Sequence, residues 1–251
     1  MQGMVFDHAF WIALIQIVGI DIVLSGDNAV VIALAARGLN PADRKRAVMW
    51  GSTAAVAMRV TLTIVAAELL QLPLLKAAGA LLLLWIAVQL LVPEDESDGE
   101  GGAVVSGMAA AIKTIMLADL VMSMDNVVAI AGASKGNLAL LIFGLGLSIP
   151  LVVFSSTFLM KLMERFPIVV TGGAALLGFV AGEMLVTDLM LGPWIDAHAP
   201  WLHRVLPVAG AVLVVLVGRL LAARATEVER ETLELDLGEA AAGEPAAKGK
   251  P

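Results

Sequence analysis

The chain has 251 residues, 59% hydrophobic and only 16% charged, with no cysteine and a formal net charge of −7. This lies outside the soluble globular range and indicates an all-α polytopic membrane protein; the lack of cysteine excludes a disulfide framework and thiolate metal ligation. Twelve of the 23 acids fall in two polar segments, five in 93–102 and seven after Ala225, and the negative balance argues against nucleic acid as a partner.

A helix needs about 20 apolar residues to cross the hydrocarbon, and runs of that kind lie at roughly 10–36, 46–70, 74–92, 104–133, 137–160, 168–188 and 205–223, predicting seven transmembrane helices. The first, in MQGMVFDHAFWIALIQIVGI, lacks the basic region and cleavage site of a secretory signal and is expected to be retained. Breakers separate the runs: Gly38 with Pro41, Pro73, the acidic loop, Gly136, Pro167, and the Gly192, Pro193 and Pro200 group. The expected organisation is a first three-helix unit over 1–92, an acidic linker over 93–103 and a second unit over 104–190. An outer loop and a seventh helix over 191–224 follow, then a polar tail over 225–251 without fixed structure after a short helical extension.

The lysine and arginine distribution sets the orientation. With the N-terminus outside, Arg37, Arg44, Lys45, Arg46, Lys161, Arg165, Arg219, Arg224 and Arg230 fall on the cytoplasmic side. The outer side receives Lys76, Lys135 and Arg204, so the C-terminus is expected inside a cell (inner or plasma) membrane.

Spans one and four carry the same sentence twice. DIVLSGDNAVVIALAARG (21–38) and DLVMSMDNVVAIAGASKG (119–136) share ten of eighteen positions. A fainter echo pairs GALLLLWIAVQ (79–89) with GAALLGFVAGE (173–183). An offset of three spans turns the second unit upside down, so the expectation is an inverted repeat of three plus three helices with a seventh appended. Duplication without a shared site is the competing reading, but polar residues repeat here along with apolar ones.

Asp21, Asp27, Asp119 and Asp125 lie near mid-span, where each charge costs about 2.5–3.5 kcal/mol. Packing alone would not retain four of them. Either some are protonated or they hold a cation. Asp21, Ser25 and Asn28, spaced i, i+4, i+7, share one helix face, and Ser123 and Asn126 repeat the set. Local unwinding at Ser25 and Gly26 would turn Asp27 inward as well. Carboxylate, amide and hydroxyl oxygens suit a hard divalent ion such as Mn²⁺, Mg²⁺ or Ca²⁺. His8, His198 and His203 sit at the outer ends of the spans, away from that centre. Arg59, mid-way along span two, is expected to pair with a motif carboxylate or with Glu183 and keep the empty site near neutrality. Glu183 is a candidate relay or ligand, and Gln89 its neutral counterpart. Glu68, Gln71 and Asp188 are expected at solvated helix ends, and protons are a candidate counter-ion.

The doubled D-x-x-x-S-x-D-N pattern on spans one and four resembles the TerC family of integral membrane proteins, in its YjbE-like branch, over about residues 10–223. The resemblance implies export of Mn²⁺ as the transported ion, with no further cofactor and with Asp21, Asp27, Asn28, Asp119, Asp125 and Asn126 as the ion site. Mn²⁺ and the outward direction rest on that resemblance alone. An exporter of amino acids or other small organic solutes is the alternative, with Arg59 left to match a carboxylate. Enzyme readings fare worse: an intramembrane aspartyl protease needs glycine where Leu24 stands, and a retinal Schiff base needs a lysine that 202–221 lacks.

Overall fold

The computed structural model describes residues 8–24, 26–69, 72, 74–92, 102–134 and 137–242, with backbone alone at 9, 22–24, 26, 66–69, 102–106, 125, 128 and 225–242. Regular structure among them is entirely helical: α1 (His8–Leu24), α2 (Gly26–Ala36), α3 (Pro41–Leu69), α4 (Leu75–Gln89), α5 (Gly102–Ser134), α6 (Leu138–Arg165), α7 (Ile168–Val186), α8 (Leu191–His198) and α9 (Leu202–Ala242). Five of these, α3, α5, α6, α7 and α9, contain a stretch long and apolar enough to cross a membrane. The first expected span is divided between α1 and α2, on either side of Ser25, a position outside the described residues; of the pair expected to unwind, Gly26 is instead the first residue of α2. The third is α4, whose 15 residues reach about 22 Å, short of the ~30 Å hydrocarbon.

Local chemistry explains the boundaries. Asn40 caps α3, its Oδ1 accepting the N–H groups of Ala42 (3.2 Å) and Asp43 (3.0 Å), while Pro41 occupies the first turn, where its missing N–H costs nothing. Asn137 caps α6 by accepting the Leu140 N–H at 3.1 Å. Two departures from expectation follow the same logic. The outer connection contains a helix, α8, and α9 runs on to Ala242 rather than giving way to a tail soon after Ala225. The added segment is rich in Glu, Leu, Arg and Ala, all good helix formers, so polarity alone is a poor guide to its conformation.

The molecule carries large apolar side chains outside and a polar cluster within its apolar core. Trp11, Ile15, Phe154, Phe158, Leu216 and Leu220 are exposed, whereas Asp21, Asn28, Ser52, Arg59, Asp119, Ser123 and Asn126 are buried. Water would not select that arrangement; a lipid surround does. Helices α1 and α2 lie along α6 as α3 lies along α5; α2 touches α7 as α5 touches α4, and α4 packs on α7. The contact of α7 with α9 is the most extensive. Gly178 and Gly182, one turn apart on α7, let the two backbones meet: a Cβ at either, or at Gly210 on α9, would land on a carbonyl oxygen of the other helix.

Two polar fastenings hold the ends of the bundle. At one, Arg37 donates to the Leu90 carbonyl (3.0 Å) and Arg44 to the Arg37 carbonyl (2.8 Å), while Arg44 also pairs with Glu164. At the α7–α8 turn, Asp188 accepts the N–H groups of Met190 (2.9 Å), Leu191 (3.3 Å) and Ala77 of α4 (3.2 Å). Asp188 is thus a buried cap joining two connections, not the solvated helix end expected. Burial pushes its carboxyl upward, but the N–H groups of Met190, Ala77, Leu191 and Leu74 outweigh it and hold it below the usual carboxylate value.

Candidate functional site

The site forms where α1, α2, α3 and α5 meet. Arg59 projects from α3 and forks its guanidinium between the carboxylates of Asp21 on α1 and Asp119 on α5. Its Nε donates to Ser123 Oγ at 2.9 Å, and Ser123 in turn donates to Asp119 Oδ2 at 3.2 Å. Asn28, at the start of α2, donates from Nδ2 to Asp119 Oδ1 at 3.0 Å. Asp21, Asn28, Arg59, Asp119 and Ser123 are all at least nine-tenths buried. Each charge would be expensive there alone; the planar guanidinium supplies several donors in a fixed fork, so one arginine satisfies two carboxylates. Of the two partners expected for Arg59, the motif carboxylates are the ones it meets.

The remaining candidates divide. Asp27 is half-buried in the first turn of α2, within electrostatic reach of Arg59 and Asp119. Its carboxylate accepts the Asn28 N–H at 3.0 Å, as an acid does at a helix N-terminus. Asn126 is buried on α5, one turn beyond Ser123. Asp125 lies on α5 with its side chain outside the described residues, as Ser25 is altogether; the side chain of Glu68 and the whole of Gln71 are outside them too. Glu183 on α7 and Gln89 at the end of α4 are both exposed, and the structure does not bring them into the cluster.

One member was absent from the sequence argument. Ser52, two turns before Arg59 on α3, is buried and lines a cavity of about 20 Å³ together with Asp21, Asn28, Arg59, Asp119 and apolar groups such as Ile149 on α6. Ser52 Oγ and Asn28 Oδ1 are buried there without a hydrogen-bond partner. The sequence signal was faint: a single serine beside Gly51 in a mixed helix. Among the described residues, no three carboxylate or imidazole groups make a metal cage by themselves. A cation seated here therefore needs amide and hydroxyl oxygens as well as carboxylates.

Apolar helices around a buried, charge-paired polar centre define a polytopic membrane protein. The integral membrane protein TerC family matches residues 6–227, and the chain belongs to that family. It is 40% identical to the uncharacterized membrane protein YjbE of Bacillus subtilis over 210 residues, which cover 84% of this chain and 95% of that one. It is 28% identical to the inner membrane protein YgdQ of Escherichia coli K12, over 77% of this chain and 86% of the other. A further Bacillus subtilis membrane protein, YkoY, is 22% identical over 71% of this chain and 60% of its own length. No solved structure matches the chain.

Proposed function

We propose that the protein is a transporter, not an enzyme, that exports a hard divalent cation, Mn²⁺ foremost, across the cell membrane. One observation carries the reading: the duplicated segments bring Asp21, Asn28 and Asp119 from separate helices to one buried place, where the Asn28 oxygen lacks a partner. Oxygen donors of this kind suit Mn²⁺, Mg²⁺ or Ca²⁺. Asp27, Asp125 and Asn126 complete the proposed ligand set, and protons are the proposed counter-ion, since crowded carboxylates deprived of a cation take them up.

The packing supports an inverted three-plus-three repeat within seven spans. Exchanging the two units maps the α1/α2 contact with α6 onto that of α3 with α5, and the α2–α7 contact onto that of α5 with α4. The contacts of Arg44 with Arg37 and Glu164, and of Arg37 with Leu90, gather the ends of α2, α4 and α6 and the start of α3 at one end. Lysine and arginine counts then favour that end as cytoplasmic, with the N-terminus outside. The amino-acid alternative leaves Arg59 to match a carboxylate, and Arg59 is already held by Asp21 and Asp119.

The test is flux through vesicles containing the purified protein, with Mn²⁺, Mg²⁺, Ca²⁺ and Zn²⁺ offered in turn. Protein-dependent Mn²⁺ movement, lost in Asp21→Asn, supports the reading. Movement of amino acids with no divalent flux overturns it.

A further inference from the structure

Hydrogen bonds take three of the four lone-pair positions of the Asp119 carboxylate. Its Oδ1 accepts from Arg59 and from Asn28, and its Oδ2 accepts from Ser123. The same guanidinium holds Asp21. A divalent ion cannot approach this carboxylate pair while a fixed positive charge occupies it, because like charges at contact in a low-dielectric interior repel strongly. Beside the occupied pair lies the small cavity, lined by Asn28 and Ser52, whose Oδ1 and Oγ are unpaired on residues at least nine-tenths buried. Buried oxygens without donors are costly, and a site that tolerates two of them around one cavity is shaped for an occupant that accepts lone pairs.

Deepening the transport reading above, on which it rests, we propose that Arg59 and the transported cation hold the Asp21–Asp119 pair in turn, the cation taking the Asn28 and Ser52 oxygens as it enters. The charges agree with alternation. Two carboxylates balance one divalent ion, and with Arg59 in its place they are left one negative charge in excess. Ion and guanidinium on this pair together would leave it with one positive charge in excess, which only Asp27 and Asp125 could offset from outside the pair. Ser52 and Arg59, spaced i, i+7 on α3, share a face, so one helix carries both the resident cation and an oxygen for its replacement. Asn28 is the hinge of the exchange: its amide nitrogen serves Asp119 while the arginine is home, and its oxygen is still without a partner. The arginine's return would expel the ion, which makes Arg59 a positioning residue for release as well as a neutralising one.

The test uses the full chain in nanodiscs for Mn²⁺ binding, followed by magnetic resonance of the free ion, and in vesicles for export. Arg59→Gln removes the competitor, so Mn²⁺ should bind about tenfold tighter or more while the maximal export rate falls. Arg59→Lys, holding one carboxylate at a time, should bind Mn²⁺ more tightly than wild type but less so than Arg59→Gln, and it carries the comparison if Arg59→Gln fails to insert. Ser52→Ala should weaken Mn²⁺ binding by about tenfold. Arginine variants that bind Mn²⁺ no tighter than wild type overturn the exchange, and Ser52→Ala with wild-type affinity overturns the seat. A wild-type protein that neither binds nor moves Mn²⁺, Mg²⁺ or Ca²⁺ is a different result, overturning the transport reading and the exchange together.

Discussion

Asp119→Asn separates charge from shape at the centre of the protein. The asparagine oxygen can take the place of Oδ1 and accept from Arg59 and Asn28, while its NH₂ group faces Ser123, whose hydroxyl can turn to accept it. The three contacts at position 119 are thus kept, the freed Ser123 O–H has the backbone carbonyl four residues earlier to turn to, and Arg59 keeps Asp21. What is lost is one charge: bonds to charged groups are worth about 1.5–3 kcal/mol and neutral ones about 1, so the direct loss is about 1–2 kcal/mol. Removing a buried negative charge from a pair that outnumbers its arginine offsets part of that. The folded protein should therefore survive, less stable by no more than about 2 kcal/mol. Ion binding should suffer far more, since even groups that only support a ligand cost 10–100-fold when altered; a loss of at least about 100-fold is expected. Unfolding in bicelles and Mn²⁺ export from vesicles, measured on one preparation, check both halves. Asp27→Asn and Asp125→Asn should likewise insert and fail to export. Export at the wild-type rate by Asp119→Asn would refute the reasoning, as would a stability loss well beyond 3 kcal/mol, which would make the carboxylate a structural requirement.

Ser52→Ala should leave the protein as stable as wild type or more so, by up to about 1 kcal/mol, because it deletes a buried hydroxyl without a partner; a clear destabilisation in the unfolding assay would mean the hydroxyl is bonded. Gly182→Val should push α7 from α9 and cost about 1–3 kcal/mol or more, with reduced yield of folded protein, since the added atoms meet the Leu206 carbonyl. The Asp188 fastening should weaken in acid. Its carboxyl titrates below the unfolded value near 3.8 in the folded protein, so its stabilisation is complete above that value and fades as pH falls through the lower one. Asp188→Asn should lower stability at neutral pH and abolish that acid-dependent part, as unfolding curves between pH 3 and pH 7 would report.

The membrane class, the helical character of the apolar runs and the doubled acidic motif were legible in the chain because run length, composition and identity between segments are local properties. Even the need for Arg59 to meet a carboxylate followed from the cost of charge at mid-span. Which carboxylates it meets did not, because a helical period gives the angle between residues on one helix and says nothing of which faces oppose one another. That opposition brought Ser52 into the site and left Gln89 and Glu183 exposed. It also turned Asp188 from a presumed solvated end into a cap shared with α4. The seam of Gly178, Gly182 and Gly210 was open to reading only as scattered glycines, since close backbone approach is a property of two helices together. Residue types and their depth were set by the sequence; their partners were decided when the helices packed, by the few arrangements that cover every buried charge.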